Sequence, residues 1–137
     1  MNFETFNFHP SVAAGVAAAG YETPTPIQSR AIPQIFKGRD VMGLAQTGTG
    51  KTAVFVLPIL NRLVEGKFGC VRALIVAPTR ELAEQIHREI ASLGRKTRIK
   101  STSVYGGVNI NPQIQKLKQV DIVVACPGRL LDGTVLG

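Results

Sequence analysis

The stretch Ala45-Gln46-Thr47-Gly48-Thr49-Gly50-Lys51-Thr52 decides the fold of this chain. It follows the short apolar run 41–44 and precedes a segment of helical character, 51–64. A glycine-rich turn between a buried strand and a helix lets successive N–H groups converge on phosphate oxygens, at the positive end of the helix dipole. The sequence therefore predicts a phosphate-binding loop within an α/β domain.

Each polar position of this loop suits a different part of a nucleoside triphosphate. Gly48 and Gly50 allow the backbone to turn, and Lys51 can place its charge on the β- and γ-phosphates. Thr52 offers a hydroxyl to a nucleotide-bound Mg²⁺. The general phosphate-loop pattern begins with glycine where this chain has Ala45. An alternative interpretation, a chance glycine–threonine turn beside a surface lysine, therefore stays open on this stretch alone.

Apolar runs and helical segments alternate along the rest of the chain. Predicted strands cover 41–44, 73–77, 99–105 and 122–125, and predicted helices cover 11–19, 26–36, 51–64, 79–93 and 111–118. Most of the strand runs are continuously apolar, which is typical of a parallel sheet covered on both faces. The sequence predicts an α/β fold in which helices flank a parallel sheet. On the helix 79–93 we expect Glu84 and Arg88 to form an exposed i,i+4 pair.

Composition is that of one globular domain with a basic surface. The chain has 137 residues, 45% of them hydrophobic and 18% charged, which argues against disorder. Its formal net charge of +7 suggests a polyanionic partner. His9 and His87 stand alone in polar surroundings and are expected to be solvated.

Several classes of protein are excluded by what the chain lacks. The longest apolar stretch, 53–60, contains Pro58 and is far shorter than the ~20 residues of a membrane span. The first residues do not have the pattern of a signal peptide, so no membrane association is expected. Cys70 and Cys126 belong to no CxxC pair and have no neighbouring histidine, which disfavours structural zinc and a disulfide scaffold. We expect a cytoplasmic protein.

Five segments, in order along the chain, resemble the motifs of the DEAD-box ATP-dependent RNA helicases. Gly20-Tyr21-Glu22-Thr23-Pro24-Thr25-Pro26-Ile27-Gln28 resembles the Q motif, with its isolated upstream aromatic at Phe3. The loop 45–52 resembles motif I, in which a leading alanine is normal. Pro78-Thr79-Arg80-Glu81-Leu82-Ala83 resembles motif Ia, Gly106-Gly107 the GG element and Cys126-Pro127-Gly128-Arg129 motif Ib, which usually begins with threonine. The chain is thus identified as a member of this family over nearly its whole length.

For the nucleotide, the resemblance implies ATP, with Mg²⁺ bound through the nucleotide and Thr52. Gln28 would read the adenine edge, since a carboxamide can accept from N6 and donate to N7. The aromatic rings of Phe3 and Tyr21 would pack around the base. The implied nucleotide-binding residues are Phe3, Tyr21, Gln28, Gln46, Thr47, Gly48, Thr49, Gly50, Lys51 and Thr52.

For nucleic acid, the resemblance implies a groove that holds the sugar–phosphate backbone of single-stranded RNA. The implied RNA-binding residues are Pro78, Thr79, Arg80, Gly106, Gly107, Gly128 and Arg129. Such contacts carry no base identity, so binding should be independent of sequence and sensitive to salt. Cys126 departs from the family threonine, and a thiol is only a weak hydrogen-bond donor.

The resemblance also implies parts that these 137 residues do not contain. No apolar run ends in the acidic pair of motif II, and motif III and a second RecA-like domain are missing. We therefore expect one partial RecA-like domain over 1–137, with a Q-motif region at 1–38 and a phosphate-loop α/β core at 39–137. We expect it to bind ATP and RNA without unwinding, with no complete catalytic set.

Three functional readings follow. One is the ATP-binding portion of an RNA helicase, and another is a non-catalytic nucleotide- or RNA-binding module. In the family the strands of motifs II and III lie in the middle of the sheet, so that such a module would complete its incomplete sheet by homo-oligomerisation or domain swapping. The third reading, a different phosphate-loop NTPase, is disfavoured by the Q motif.

Overall fold

The computed structural model describes residues 2–43, 50–105 and 115–127. A 3₁₀ helix covers Phe3–Phe6, and the regular elements are α1 (Pro10–Ala18), α2 (Pro26–Phe36), α3 (Lys51–Leu63), β1 (Ala73–Val76), α4 (Arg80–Leu93), β2 (Ser101–Val104) and β3 (Ile122–Ala125). The chain divides into two compact units. The first unit consists of Met1–Glu65 with Ser92–Thr97, and the second of Gly66–Ala91 with Arg98–Gly137.

Helices α1, α2 and α3 of the first unit confirm the predicted helices, and local capping explains where they begin. Thr25 and Gln28 form a reciprocal capping box at the start of α2, with Pro26 in the first helical position. After α2, the chain turns at Gly38, whose φ is +78°. His9 is exposed, as expected, and its Nδ1 also accepts a hydrogen bond from the Ser11 N–H at 3.2 Å, which caps α1.

The core of the first unit combines aliphatic side chains with a chain of aromatic rings. Residues with 2% exposure or less include Val12, Val16, Ile32, Leu57, Leu60 and Leu93. The ring centroids of Tyr21, Phe3, Phe6, Phe8 and Phe36 follow one another at 5.5–5.9 Å. This packing fixes the N-terminal segment on the helices, because each successive ring contacts the next.

The predicted strand 41–44 was wrong over its described part. Residues 41–43 are not in a strand, and Val41 and Met42 are 41% and 88% exposed. A strand exists only when a neighbour accepts its backbone hydrogen bonds, and no described strand pairs with this run. Leu44 lies outside the described residues.

The second unit contains a three-stranded, fully parallel sheet in the order β1-β3-β2. Ile122 of β3 is in register with Ala73 of β1 and with Ser101 of β2. The central strand β3 is buried throughout, as its continuous apolar sequence predicts. These strands and α4 confirm the predicted parallel sheet with flanking helices. Of the predicted helix 111–118, residues 115–117 are helical and 111–114 lie outside the described residues.

A buried carboxylate ties together the loops at the amino ends of the strands. Asp121, immediately before β3, is 1% exposed. It accepts hydrogen bonds from the N–H of Gly69 at 2.9 Å and of Lys100 at 3.0 Å, and its Oδ1 lies 3.6 Å from a guanidinium nitrogen of Arg72. Because these partners precede β1 and β2, Asp121 fixes where all three strands begin.

None of the described helices has the length and hydropathy that a membrane span requires.

Candidate functional site

Helix α3 begins at a backbone position that only glycine adopts readily. Gly50 is the N-cap residue, with φ +79°. Lys51 is the first helical residue and is exposed, and Thr52 follows it half-buried. Since glycine has no side chain with which to cap the first turn, the N–H groups there can receive an anion. These residues fit a phosphate group, with the lysine charge beside it.

The loop that leads into α3 falls within 44–49, outside the described residues. Four of the predicted nucleotide-binding residues therefore have no described position: Gln46, Thr47, Gly48 and Thr49.

Gln28 joins the first turn of α2 to the start of α3. Its Oε1 accepts from the Thr25 N–H at 2.9 Å, and its Nε2 donates to the carbonyl oxygen of Gly50 at 3.2 Å. The residue is only 2% exposed. A Cβ on Gly50 would collide with this Nε2, so a larger residue there would have to displace the carboxamide. Sequence reasoning placed Gln28 at adenine; the structure places its carboxamide against the residue that precedes Lys51.

The carboxamide still has bonding capacity beyond these two contacts. Its Nε2 has a second hydrogen and its Oε1 a second lone pair. A role in reading adenine is thus chemically open to Gln28 and stays a prediction.

Two clefts of the first unit border the predicted nucleotide-binding residues. One of about 240 Å³ is lined by Lys51 together with apolar side chains of α2 and α3. Another of about 420 Å³ has both Phe3 and Tyr21 in its wall, with their ring centroids 5.9 Å apart. The structure thus brings these two rings together, and their packing around a base stays a prediction.

In the second unit, the predicted RNA-binding residues that are described lie at the carboxyl edge of the sheet. Pro78, Thr79 and Arg80 follow β1 and are all exposed. Thr79 accepts a hydrogen bond from the Leu82 N–H through Oγ1 at 3.1 Å, which caps the start of α4. The edge at which parallel strands end is where open α/β sheets commonly bind ligands.

Arg80 is held by a residue that the sequence did not single out. Its guanidinium carbon lies 4.9 Å from the ring centroid of Tyr105, the residue that follows β2. A cation over an aromatic face restricts the side chain while its outer surface stays accessible. The predicted positions Gly106, Gly107, Gly128 and Arg129 lie outside the described residues.

Between α4 and β2 lies a polar contact that sequence reasoning also missed. Glu84 accepts a hydrogen bond from Ser103, and the Nδ1 of His87 lies 2.8 Å from the Oγ of Ser101. Glu84 and His87 are half-buried, so the expectations of an exposed Glu84 and a solvated His87 were wrong. Arg88 is exposed as expected, and its charge acts on Glu84. The hydrogen bond from Ser103, with smaller contributions from the Tyr105 hydroxyl and from His87 and Arg88, lowers the pKa of Glu84 below 4.5, against the opposing effect of burial.

Cys126 ends β3 at the same edge and is half-buried, and its N–H donates to the Val104 carbonyl at 3.1 Å. Burial, with a smaller effect from the charge of Glu81, raises the pKa of its thiol above 9.0. The side chain is therefore a neutral thiol at pH 7. Among the described residues no group of histidine, cysteine and carboxylate side chains could hold a metal ion directly.

Comparison with known proteins places these features in one family. Residues 25–136 match the family model described as DEAD/DEAH box helicase. The chain is 47% identical over 132 residues to the DEAD-box ATP-dependent RNA helicase RhpA of Helicobacter pylori, covering 96% of this chain and 26% of that protein. It is 44% identical to the ATP-dependent RNA helicase RhlB of Xanthomonas campestris, covering 96% of this chain and 24% of that protein.

A solved structure has the same fold. The crystal structure of a DEAD box protein from Methanococcus jannaschii matches with a TM-score of 0.89 and 40% identity, covering 96% of this chain and 36% of that one. The chain thus spans about a quarter of the length of the curated relatives that it matches.

Proposed function

Because the chain belongs to the DEAD/DEAH box helicase family, we propose that it supplies the ATP-binding part of an RNA helicase and part of its RNA-binding surface. The first unit binds ATP, and the carboxyl edge of the sheet in the second unit binds the backbone of single-stranded RNA. The relatives RhpA and RhlB are named as ATP-dependent RNA helicases.

The contact between Gln28 and Gly50 carries the nucleotide half of this proposal. It connects the segment that resembles the Q motif to the residue immediately before Lys51. The hydrogen bond between Gln28 and Gly50 would then connect a base bound beside Gln28 with a phosphate bound at the start of α3. Lys51 and the N–H groups of the first turn of α3 would bind the phosphates, and the Thr52 hydroxyl would contribute to Mg²⁺. The bound metal would neutralise phosphate charge.

The RNA half is supported by the exposed cation at the carboxyl edge. Arg80 stands beside the N-terminus of α4, so a phosphate there would meet both a guanidinium and the positive end of a helix. Neither group distinguishes one base from another. We therefore propose sequence-independent binding, with Gly106, Gly107, Gly128 and Arg129 as further backbone contacts.

Titration of a fluorescent ATP analogue tests the nucleotide site. Lys51→Ala is expected to weaken binding roughly ten- to hundredfold, the range for losing a charged hydrogen bond to phosphate. Lys37→Ala removes another exposed lysine of the first unit and should leave the affinity unchanged. Equal affinities for all three proteins would contradict the proposed site.

Hydrolysis is tested separately, by phosphate release with and without single-stranded RNA. We expect this chain to bind ATP without hydrolysing it, since no apolar run in its sequence ends in an acidic pair able to hold Mg²⁺ and position water. RNA-stimulated release that Lys51→Ala abolishes would show that other residues fill those roles.

A second candidate is a non-catalytic binding module that associates with another copy of itself. The observation that favours it concerns β1, which pairs with β3 on one side and has no described strand on its other side. Leu74 and Val76 of this strand are 45% and 51% exposed. Exposed apolar side chains on an edge strand favour pairing with another strand.

A further inference from the structure

The edge of the sheet opposite Arg80 carries a concentration of positive charge. Since all three strands are parallel and in register, the segments that precede them, 66–72, 98–100 and 115–121, meet at one edge. These segments contain six cationic residues: Lys67, Arg72, Arg98, Lys100, Lys116 and Lys118. Against these six stands the single carboxylate of Asp121, which leaves a surplus of five positive charges.

The one acidic residue is occupied within the structure. Asp121 is 1% exposed, and it is engaged by two backbone N–H groups and by Arg72. The other five cationic side chains are exposed, and no ion pair joins them to a carboxylate within the described ranges. We call these five residues the amino-edge patch: Lys67, Arg98, Lys100, Lys116 and Lys118.

Part of this charge is held in place by an aromatic side chain. The guanidinium carbons of Arg72 and Arg98 lie 5.4 and 4.9 Å from the ring centroid of Phe68. Each cation–π contact restricts the arginine that makes it.

The chemistry of the patch points to phosphate more than to protein. Protein interfaces are depleted in lysine and built around buried apolar anchors, whereas four of the five patch residues are exposed lysines. Lysine and arginine neutralise nucleic-acid phosphates and release their counterions. We propose that the amino-edge patch is a second RNA-backbone contact, separate from the carboxyl edge where Arg80 lies. The choice of RNA as the polyanion rests on the proposed function.

Fluorescence anisotropy of a labelled oligouridylate, measured over about 50–200 mM salt, tests this surface. The variant Lys67→Glu/Lys100→Glu reverses two patch charges whose side chains make no described hydrogen bond. Its matched control, Arg30→Glu/Lys37→Glu, makes the same change in net charge on exposed residues of the first unit. We expect the patch variant to bind about tenfold more weakly than the control, with a log–log salt slope shallower by about 1.4 for two lost contacts.

Other outcomes decide against the patch. Equal weakening by both variants would mean that only net charge matters. Unchanged RNA binding combined with lost binding of a poly-glutamate peptide would assign the surface to acidic proteins instead. Should the first variant fail to fold by circular dichroism, Lys116→Glu/Lys118→Glu reverses charge on a different segment and carries the same expectation.

The variant Arg80→Ala separates this inference from the proposed function. Loss of binding in Arg80→Ala with no loss in the patch variants would leave the carboxyl edge as the RNA site and overturn the amino-edge patch. The reverse pattern would retain the patch and contradict the proposed groove.

Discussion

Two factors favour glycine at position 50: the backbone conformation and the lack of space for a Cβ. Mutation can separate their effects. Alanine in the left-handed region costs about 1 kcal/mol at any position, and Gly38 has nearly the same φ, +78° against +79°. A Cβ on Gly38 has no atom within 4 Å, whereas a Cβ on Gly50 collides with the side chain of Gln28. We expect Gly50→Ala to weaken binding of the ATP analogue several-fold more than Gly38→Ala, because it displaces Gln28. Equal effects would mean that Gln28 moves aside without consequence.

Cys126 offers a test of the departure from the family motif. Its thiol is neutral at pH 7 and a weak donor, whereas a hydroxyl of similar size donates well. We expect Cys126→Thr to bind oligouridylate about three- to tenfold more tightly, the gain of one hydrogen bond. Cys70→Ser makes a comparable change at the other half-buried cysteine, outside the motif, and should leave the affinity unaltered. Weaker binding by Cys126→Thr would argue against a backbone contact there.

Helix α1 contains a glycine that packing requires although its helical propensity is poor. A Cβ on Gly15 would collide with the carbonyl oxygen of Leu93, which belongs to the same unit. Alanine should gain about 1 kcal/mol in propensity but lose about 1–3 kcal/mol to overpacking. We therefore expect Gly15→Ala to lower the free energy of unfolding in urea, despite the better helix former. Ala14 is exposed, so Ala14→Gly measures the effect of helix propensity alone on the free energy of unfolding. A Gly15→Ala variant more stable than the parent would show that α1 can shift away from Leu93.

The contact between α4 and β2 should make stability depend on acid. The pKa of Glu84 in the folded state is below 4.5, so the folded state favours the carboxylate. The contribution of this carboxylate to the free energy of unfolding is therefore present above pH 4.5 and is lost as the pH falls through the lowered pKa. The side chain is half-buried and still partly screened by solvent, so the effect is modest. Ser103→Ala removes the largest cause of the lowered pKa. Urea unfolding at neutral and acid pH should show that acid lowers the free energy of unfolding less in Ser103→Ala than in the parent. An equal decrease in both proteins would assign the acid sensitivity to other carboxyl groups.

For single elements, the sequence predicts where helices begin, but it does not predict which segments pair with one another. The starts of α2 and α3 follow from residues within one turn, such as Thr25 with Pro26 or Gly50 before Lys51. The strand expected at 41–44 failed because its apolar pattern carries no information about a neighbour to pair with. The contact of Arg80 with Tyr105 depends on how α4 is positioned against β2. The periodicity of the sequence does not specify that position.

Among the described strands of the chain, β1 has an edge with which a second copy could pair. We expect concentration-dependent association in size-exclusion chromatography with light scattering, because β1 exposes Leu74 and Val76 beside an edge that no described strand covers. Leu74→Lys should shift the distribution toward monomer by removing roughly 1–2 kcal/mol of apolar burial and adding charge to the edge. Gln85→Lys adds the same charge on the exposed side of α4 and should not alter association. A parent chain that stays monomeric and unfolds cooperatively at every concentration would exclude self-association and leave the helicase portion as the function of these residues.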